Sequence, residues 1–146
     1  MAFKFEVHGK ISRPLAVVFN AVTDPKELSS YFTTGGASAP LHEGTTVTWD
    51  FADFPGAFPV KVTRVVPNER IEFSWEAGER GYDTQVVMTF EALDATTTLV
   101  KIAESGWRDT PKGQENSYGN CMGWTQMLCC LKAWVEHRIN LRQGFF

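Results

Sequence analysis

The sequence predicts an α+β fold in which a curved, antiparallel, six-stranded sheet wraps around one long C-terminal helix. Apolar and polar residues alternate with the two-residue period of half-buried strands over roughly the first hundred residues. The last part of the chain, from about Glu115 to Leu141, changes to helical periodicity. The turns between the strands are too brief for crossover helices, so neighbouring strands are expected to run antiparallel. A doubly wound nucleotide-binding fold is therefore disfavoured.

The first strand is expected to be followed by two short helices. Residues 3–7 alternate between apolar and polar side chains, as in a strand with one buried face. Ser12 is the expected cap of the first short helix. The second has a sharper signal, with Asp24 as its cap, Pro25 at its first helical position and Glu27 placed to close a capping box. Both helices fall before the second strand.

A loop from Thr33 to Gly44, rich in glycine, alanine, serine and threonine, separates the short helices from the remaining strands. From there to Ser105, each of five segments puts apolar side chains on one face and polar ones on the other. This alternation is typical of a sheet that is covered on one side and solvated on the other. The inward face is expected to hold Val47, Trp49, Phe51, Val60, Val62, Ile71, Phe73, Trp75, Val86, Met88, Phe90, Val100 and Ile102.

The C-terminal helix is expected to supply that cover. Its large apolar residues fall on one arc, and burying each contributes about 1.5–3 kcal/mol as an upper estimate. Only the preceding sheet is large enough to bury this arc. Cys129 and Cys130 are expected to lie off it. The arc holds Cys121, Trp124, Met127, Leu128, Leu131, Trp134, Val135 and Ile139.

Composition limits the classes of function. The 146 residues fit a single domain spanning 1–146, and a net charge of −3 without any basic run argues against nucleic-acid binding. No segment approaches about eighteen uninterrupted apolar residues, and the N-terminus lacks the order of a secretion signal. We therefore expect a cytoplasmic protein without stable membrane insertion. A homodimer is possible, although no exposed apolar strip in the sequence demands one.

Metal and redox chemistry are not indicated. The three cysteines are odd in number and lie on one predicted helix, so they are expected to be reduced thiols. His, Cys and carboxylate residues show no spacing typical of a metal site. No serine elbow and no phosphate-cradling glycine loop is evident. We expect neither a metal nor a cofactor.

Glu104 is the strongest candidate for a catalytic or ligand-orienting group. If Val100 and Ile102 face inward, the two-residue period carries Glu104 to the same side. A carboxylate there could orient the polar head of a ligand or act as a general base. Alternatively, Glu104 turns to solvent or pairs with Arg108 as part of the scaffold. Asp53 could likewise reach the rim of a cavity, although the residues that follow it favour a turn between strands.

The nineteen Phe, Trp and Tyr residues exceed what a compact core of this size usually needs, so some are expected to line a cavity between sheet and helix. The loop from Thr33 to Gly44 and the first part of the long helix would form its mouth. The residues expected to contact a ligand are Tyr31, Phe32, Trp49, Phe51, Phe73, Trp75, Met88, Glu104, Trp124, Met127 and Leu128.

Four local motifs, together with the order of the elements, resemble a known family. The overall order resembles the helix-grip superfamily, which includes START lipid-transfer domains, the birch pollen allergen and polyketide cyclases. The motifs resemble the bacterial family named after the activator of the heat-shock-protein-90 ATPase. They are Thr23-Asp24-Pro25 through Tyr31-Phe32, Val62 to Trp75, Glu104-Ser105-Gly106-Trp107, and Gly123-Trp124 through Leu131-Lys132.

This resemblance implies a helix-grip fold whose cavity takes up apolar or amphipathic small molecules. Tyr31 stands where many relatives carry tryptophan. Three functions follow as hypotheses. The first is binding of a small hydrophobic or amphipathic ligand. The second is a cyclase- or hydrolase-type enzyme that uses Glu104 as acid or base. The third is a chaperone accessory, which is disfavoured because this chain has no room for the named activator's separate chaperone-binding part.

Overall fold

The computed structural model describes residues 2–145 and contains one antiparallel sheet and three α-helices within them. The chain order is β1 (Phe3–Ile11), α1 (Leu15–Thr23), α2 (Pro25–Ser29), β2 (Gly36–Ala37), β3 (Thr46–Phe51), β4 (Phe54–Val66), β5 (Arg70–Glu76), β6 (Asp83–Asp94), β7 (Thr97–Trp107) and α3 (Pro111–His137). The spatial order of the strands is β1-β7-β6-β5-β4-β3-β2.

The α+β architecture, the antiparallel sheet and the covering C-terminal helix agree with the sequence-based prediction, but the number of strands does not. Within residues 2–145 the sheet has seven strands rather than six. The additional strand is β2, where Gly36 pairs with Asp50 and Ala37 pairs with Trp49. A strand of two residues inside a loop rich in small side chains is too short to show alternating apolar and polar residues. Periodicity therefore missed this strand.

The two helices between β1 and β2 are short, as expected, but their caps differ from the prediction. Ser12 does not cap α1: the N-cap is Pro14, and the backbone N–H of Ser12 donates to Glu136. Asp24 caps α2 by accepting from the N–H of Lys26 at 2.9 Å. The N–H of Asp24 already donates to the carbonyl of Asn20 at the end of α1, so a capping box cannot form.

Glu27 bonds with α3 instead of its own helix end. Its carboxylate accepts from the indole N–H of Trp134 and from the guanidinium of Arg138. Burial alone would raise the pKa of Glu27, but these two hydrogen bonds and the positive charge of Arg138 hold it below its ordinary value. Glu27 thus ties α2 to the C-terminal end of α3.

Helix α3 begins and ends four residues earlier than the sequence analysis placed it. Thr110 is its N-cap and accepts from the N–H of Gly113 at 2.9 Å, while Pro111 occupies the first turn. A Cβ added to Gly113 would lie 2.1 Å from the carbonyl oxygen of Arg108, so the helix start has room only for glycine there. The helix ends at Arg138, whose φ of 55° is left-handed.

The buried stripe of α3 differs from the predicted arc at its edges. Trp124, Met127, Leu128, Leu131 and Val135 are buried as expected, against β1, β7 and α1. Cys130 is also buried, whereas Cys121 is half-buried, which reverses the prediction for these two thiols. Ile139 lies beyond the helix and is 53% exposed. The buried residues of α3 cover a wider angle around the helix than the predicted arc, because the helix contacts both the sheet and α1.

Among the described residues, no helix is both long and apolar enough to cross a membrane.

Candidate functional site

A cleft of about 510 Å³ opens between the first half of α3, the β3–β4 hairpin and the end of β5. Its position corrects the predicted mouth. The loop from Thr33 to Gly44 does not line it, and the hairpin takes that place. The described residues that line the cleft are Phe32, Phe51, Asp53, Phe54, Phe58, Trp75, Glu76, Gly78, Gly119, Asn120, Met122, Gly123, Trp124, Gln126 and Arg142.

The helical side of the cleft is one face of α3 that contains two glycines. Gly119, Met122, Gly123 and Gln126 follow the spacing i, i+3, i+4, i+7, so they stack along one side of the helix. A Cβ added at either glycine would meet no atom within 4 Å. The missing side chains therefore leave space that belongs to the cleft. Two glycines four residues apart in a predicted helix are visible in the sequence, but the periodicity of apolar residues does not register them.

Aromatic rings form most of the opposite wall. Phe32 meets Phe51 edge to face at 5.0 Å between ring centroids, and Trp75 meets Trp124 at 5.4 Å. On the hairpin, Phe54 stacks on Phe58 at 5.9 Å and is 64% exposed. Exposed rings beside a concavity are unusual on a monomer surface and mark contact sites. Spacing did not predict Phe54 and Phe58 because the hairpin residues do not alternate.

Glu104 lies behind this wall, on the inward side that its spacing from Ile102 predicts. It is 1% exposed. Among the described residues, four side chains donate to its two oxygens: Trp124 Nε1 at 2.8 Å, Trp75 Nε1 at 3.0 Å, Thr84 Oγ1 at 2.6 Å and Asn120 Nδ2 at 3.1 Å. Indole N–H groups only donate, so each buried tryptophan requires an acceptor, and the carboxylate of Glu104 supplies it to both. Glu104 thereby fixes both tryptophans that line the cleft.

The two scaffold alternatives for Glu104 are wrong. The side chain does not turn to solvent, and it does not pair with Arg108. The guanidinium of Arg108 instead lies over the ring of Tyr82, 4.4 Å from its centroid. What remains is a buried carboxylate whose hydrogen-bonding capacity is filled from within the protein.

Asp53 combines both features that the sequence suggested for it. It occupies the turn between β3 and β4 and also lines the cleft. Its carboxylate receives two hydrogen bonds from Arg142, Nε to Oδ1 at 2.7 Å and Nη2 to Oδ2 at 2.9 Å. Burial opposes ionisation, but the hydrogen bonds and charge of Arg142 lower the pKa of Asp53. Arg142 also lies 5.0 Å from the centroid of Phe51.

Of the eleven residues expected to contact a ligand, Phe32, Phe51, Trp75 and Trp124 line the cleft and Glu104 supports it. The others are buried and do not line it. Tyr31, for example, donates its hydroxyl to the carbonyl of Ala21 at 2.9 Å, and burial raises its pKa well above the ordinary value. The remaining core residues are Trp49, Phe73, Met88, Met127 and Leu128.

No three His, Cys, Asp or Glu side chains within residues 2–145 are grouped so that they could hold a metal ion. The three cysteines are free thiols, and burial raises the pKa of Cys130 to about 11. A thiol with so high a pKa is almost entirely protonated at neutral pH and is a poor nucleophile. The described groups that line the cleft are aromatic rings, amides, carboxylates, a thioether and one guanidinium, and no cysteine is among them.

A long helix held by a curved antiparallel sheet, with a cleft between them, defines the helix-grip class of proteins. Residues 12–136 match the family described as Activator of Hsp90 ATPase homolog 1-like protein, and the chain belongs to this family. The match covers most of the sheet and nearly the whole of α3. A comparison with curated proteins finds no match.

Solved structures share the fold over nearly the whole chain. DynU16, a protein of the dynemicin biosynthetic locus, is 26% identical with a TM-score of 0.80; the alignment covers 94% of this chain but 49% of DynU16, so the chain spans about half of that protein. SSP2350 from Staphylococcus saprophyticus is 25% identical with a TM-score of 0.77, over 94% of this chain and 96% of that one. The Aha1 dimer from Colwellia psychrerythraea is 21% identical with a TM-score of 0.73, over 92% and 97%.

Proposed function

We propose that this protein binds a small hydrophobic or amphipathic molecule in the cleft between α3 and the β3–β4 hairpin. The observation that carries the proposal is an aromatic-lined opening whose helical wall is emptied by Gly119 and Gly123. Its volume falls within the roughly 300–1,000 Å³ typical of small-molecule sites. A few polar groups at its edge would orient a ligand whose body is apolar.

Exposed apolar surface supplies the driving force. Phe54 is 64% exposed and Met122 is 61% exposed, on opposite sides of the opening. Full burial of such a side chain contributes about 1.5–3 kcal/mol, and a ligand lying between the two would cover part of both. The loss of translational freedom on binding opposes this gain, so a ligand must cover several of the rings at once.

The position of Glu104 favours binding over catalysis. A general base must come within hydrogen-bond reach of the proton that it removes. Glu104 is enclosed by its four donors and separated from the cleft by Trp75 and Trp124. Its carboxylate therefore acts on the ligand only by holding the wall in place.

Filling the cleft from the helix tests the proposal. Gly123→Leu would place a branched side chain in the open space, while Gly123→Ala adds a single methyl group and serves as the matched control. Both should fold, because alanine and leucine favour helices more than glycine does. Fatty acids, sterols and aromatic polyketides would be screened by thermal shift and by fluorescence of Trp75 and Trp124.

A ligand that stabilises the natural protein and the alanine variant should fail to stabilise the leucine variant. Equal stabilisation of all three proteins would place the ligand elsewhere and contradict the proposal. Circular dichroism of both variants would check that the fold is retained.

We propose further that the protein works in the reducing cytoplasm, which its three free thiols support. Assembly into a homodimer stays a prediction. Sedimentation velocity at micromolar concentration would measure it directly.

A further inference from the structure

The polar atoms of the cleft restrict which ligands can bind there, and the side-chain amide of Asn120 imposes the main restriction. The amide nitrogen of Asn120 donates to both oxygens of Glu104, at 3.1 Å each. A carboxylate only accepts hydrogen bonds, so the nitrogen must face it and the amide oxygen must point away. Within residues 2–145, no group donates to that oxygen. Asn120 lines the cleft, and an amide oxygen turned away from Glu104 can accept a hydrogen bond there.

This orientation is locked by the neighbours of Glu104. Trp75 and Trp124 donate their indole N–H groups to the same carboxylate, and Thr84 adds a third hydrogen bond. Rotating the amide of Asn120 by half a turn would set its oxygen against the Glu104 oxygens, which already accept from Trp75, Trp124 and Thr84, and would leave no donor between them. Glu104 thus positions Asn120 as well as the two tryptophans.

The charges of the cleft disfavour an anionic ligand. Its ionisable lining groups are Asp53, Glu76 and Arg142, two carboxylates against one guanidinium. The guanidinium is already engaged by Asp53 through two hydrogen bonds. A bound carboxylate would have to compete with Asp53 for Arg142 and would be repelled by Glu76. Gln126 also lines the cleft, but its amide can present either atom and does not discriminate.

The apolar lining favours a flat ligand over a flexible chain. Apart from Met122, its large apolar side chains are aromatic: Phe32, Phe51, Phe54, Phe58, Trp75 and Trp124. Rings prefer offset or edge-to-face contact with other rings, and such pairs gain stability beyond the burial of area. A rigid ligand also loses less conformational freedom on binding than an alkyl chain does.

We propose, on the basis of the binding function above, that the cleft selects a neutral, ring-containing molecule bearing a hydroxyl donor, and that it discriminates against anionic amphiphiles such as fatty acids. The hydroxyl donates to Oδ1 of Asn120. Asn120 is the specificity-determining residue, and Glu104 is its positioning residue.

Three pyrene probes with the same ring system test this selection. 1-Hydroxypyrene can donate a hydrogen bond, 1-methoxypyrene cannot, and 1-pyrenecarboxylate is anionic at pH 7. Titration against the natural protein, followed by pyrene and tryptophan fluorescence, gives three dissociation constants. We expect 1-hydroxypyrene to bind about three- to tenfold more tightly than 1-methoxypyrene, because one additional hydrogen bond contributes a gain in affinity of this size. The carboxylate should bind most weakly.

Two variants test whether Asn120 is responsible for the preference for the hydroxyl probe. Asn120→Ala removes the acceptor and should bring the affinity for 1-hydroxypyrene down to that for 1-methoxypyrene, with the latter little changed. Gln114→Ala, which removes an amide of α3 that does not line the cleft, is the matched control and should keep the difference between the two probes. Circular dichroism would confirm that both variants fold, and Asn120→Leu, which also lacks an acceptor and fills the space of the amide, offers a second variant if alanine destabilises the protein.

The outcomes separate this inference from the proposed function. Equal affinity for all three probes, or tightest binding of the carboxylate, would overturn the inference while leaving ligand binding intact. A preference for the hydroxyl that survives in Asn120→Ala would overturn the role of Asn120. If no pyrene probe bound while a compound of the thermal-shift screen did, the inference would be overturned and the proposed binding function would stand.

Discussion

The two halves of α3 differ although they belong to one continuous helix. From Met127 to Val135 the helix is packed into the core, and Met127 is 0% exposed. From Gly119 to Gln126 its side borders the cleft, and Met122 is 61% exposed. The same backbone therefore serves as a structural element in one half and as a cleft wall in the other. The difference is made by the side chains alone.

The comparison shows which half of α3 holds the helix in place. Each interior glycine costs a helix about 0.5–1 kcal/mol relative to alanine, so the cleft half is intrinsically the weaker half. The core half anchors the helix through burial against β1, β7 and α1. A helix fixed firmly at one end can carry an incompletely packed surface at the other.

The largest expected effect is a difference in stability between two variants, one with a substitution in each half of α3. Met127→Ala removes a fully buried side chain and should lower the free energy of unfolding by about 2–5 kcal/mol. Met122→Ala should change it by less than about 0.5 kcal/mol but weaken ligand binding. Urea unfolding followed by tryptophan fluorescence measures both. Comparable losses of stability would contradict the division of the helix.

The next effect concerns the buried carboxylate behind the cleft. Glu104→Gln keeps the size of the side chain but places an amide N–H against one of its donors, Trp75 or Trp124. We expect a loss of about 1–3 kcal/mol because a buried indole N–H is left without an acceptor. Glu76→Gln, at the exposed end of β5, is the control and should have little effect. A Glu104→Gln variant as stable as the natural protein would show that these hydrogen bonds contribute nothing net.

A smaller effect of opposite sign is expected in the cleft half. Gly119→Ala should stabilise the protein by about 0.5–1 kcal/mol, because alanine restricts the unfolded chain and meets no atom within 4 Å in the folded one. The urea midpoint should rise at an unchanged slope. Destabilisation would mean that the position is more crowded than its surroundings suggest.

The smallest effect is a pH dependence at the rim of the cleft. The pKa of Asp53 is lowered in the folded protein, against about 3.9 when unfolded. Its ion pair with Arg142 therefore stabilises the fold above pH 4, and this stabilisation is lost as the pH falls through the folded pKa. Because the pair is partly exposed, Asp53→Asn should lower the free energy of unfolding by less than about 1 kcal/mol at pH 7, and by a smaller amount at pH 2. Unfolding at both pH values measures this difference, and an equal cost at both would contradict it.

Periodicity predicted most of the sheet and helix because burial on one face imposes it directly. It also placed Glu104 inward, since the strand continues its alternation through Ile102. It failed at Gly36–Ala37, where apolar and polar residues do not alternate. It also placed the start of α3 too late, because the cap signal Thr110-Pro111 is not a periodic pattern. The cap of α2 was recognised from the same kind of signal, Asp24-Pro25.

The cleft itself was predicted only in part, because it depends on contacts distant in sequence. Arg142 reaches Asp53 only because the chain turns at Arg138, whose left-handed backbone no local rule predicts. The hairpin rings Phe54 and Phe58 lie on either side of a register shift between β3 and β4. Trp75 and Trp124 were predicted because both are large residues at inward-facing positions, and periodicity detects such positions.

The close approach of Gly113 to the carbonyl of Arg108 has an evolutionary consequence. A mutational scan should find position 113 intolerant of every other amino acid, although glycine has no side chain with which to make a contact. Phe54, at the opening, is 64% exposed and meets no such constraint. Homologous sequences are therefore expected to vary at the opening while the first turn of α3 keeps its glycine.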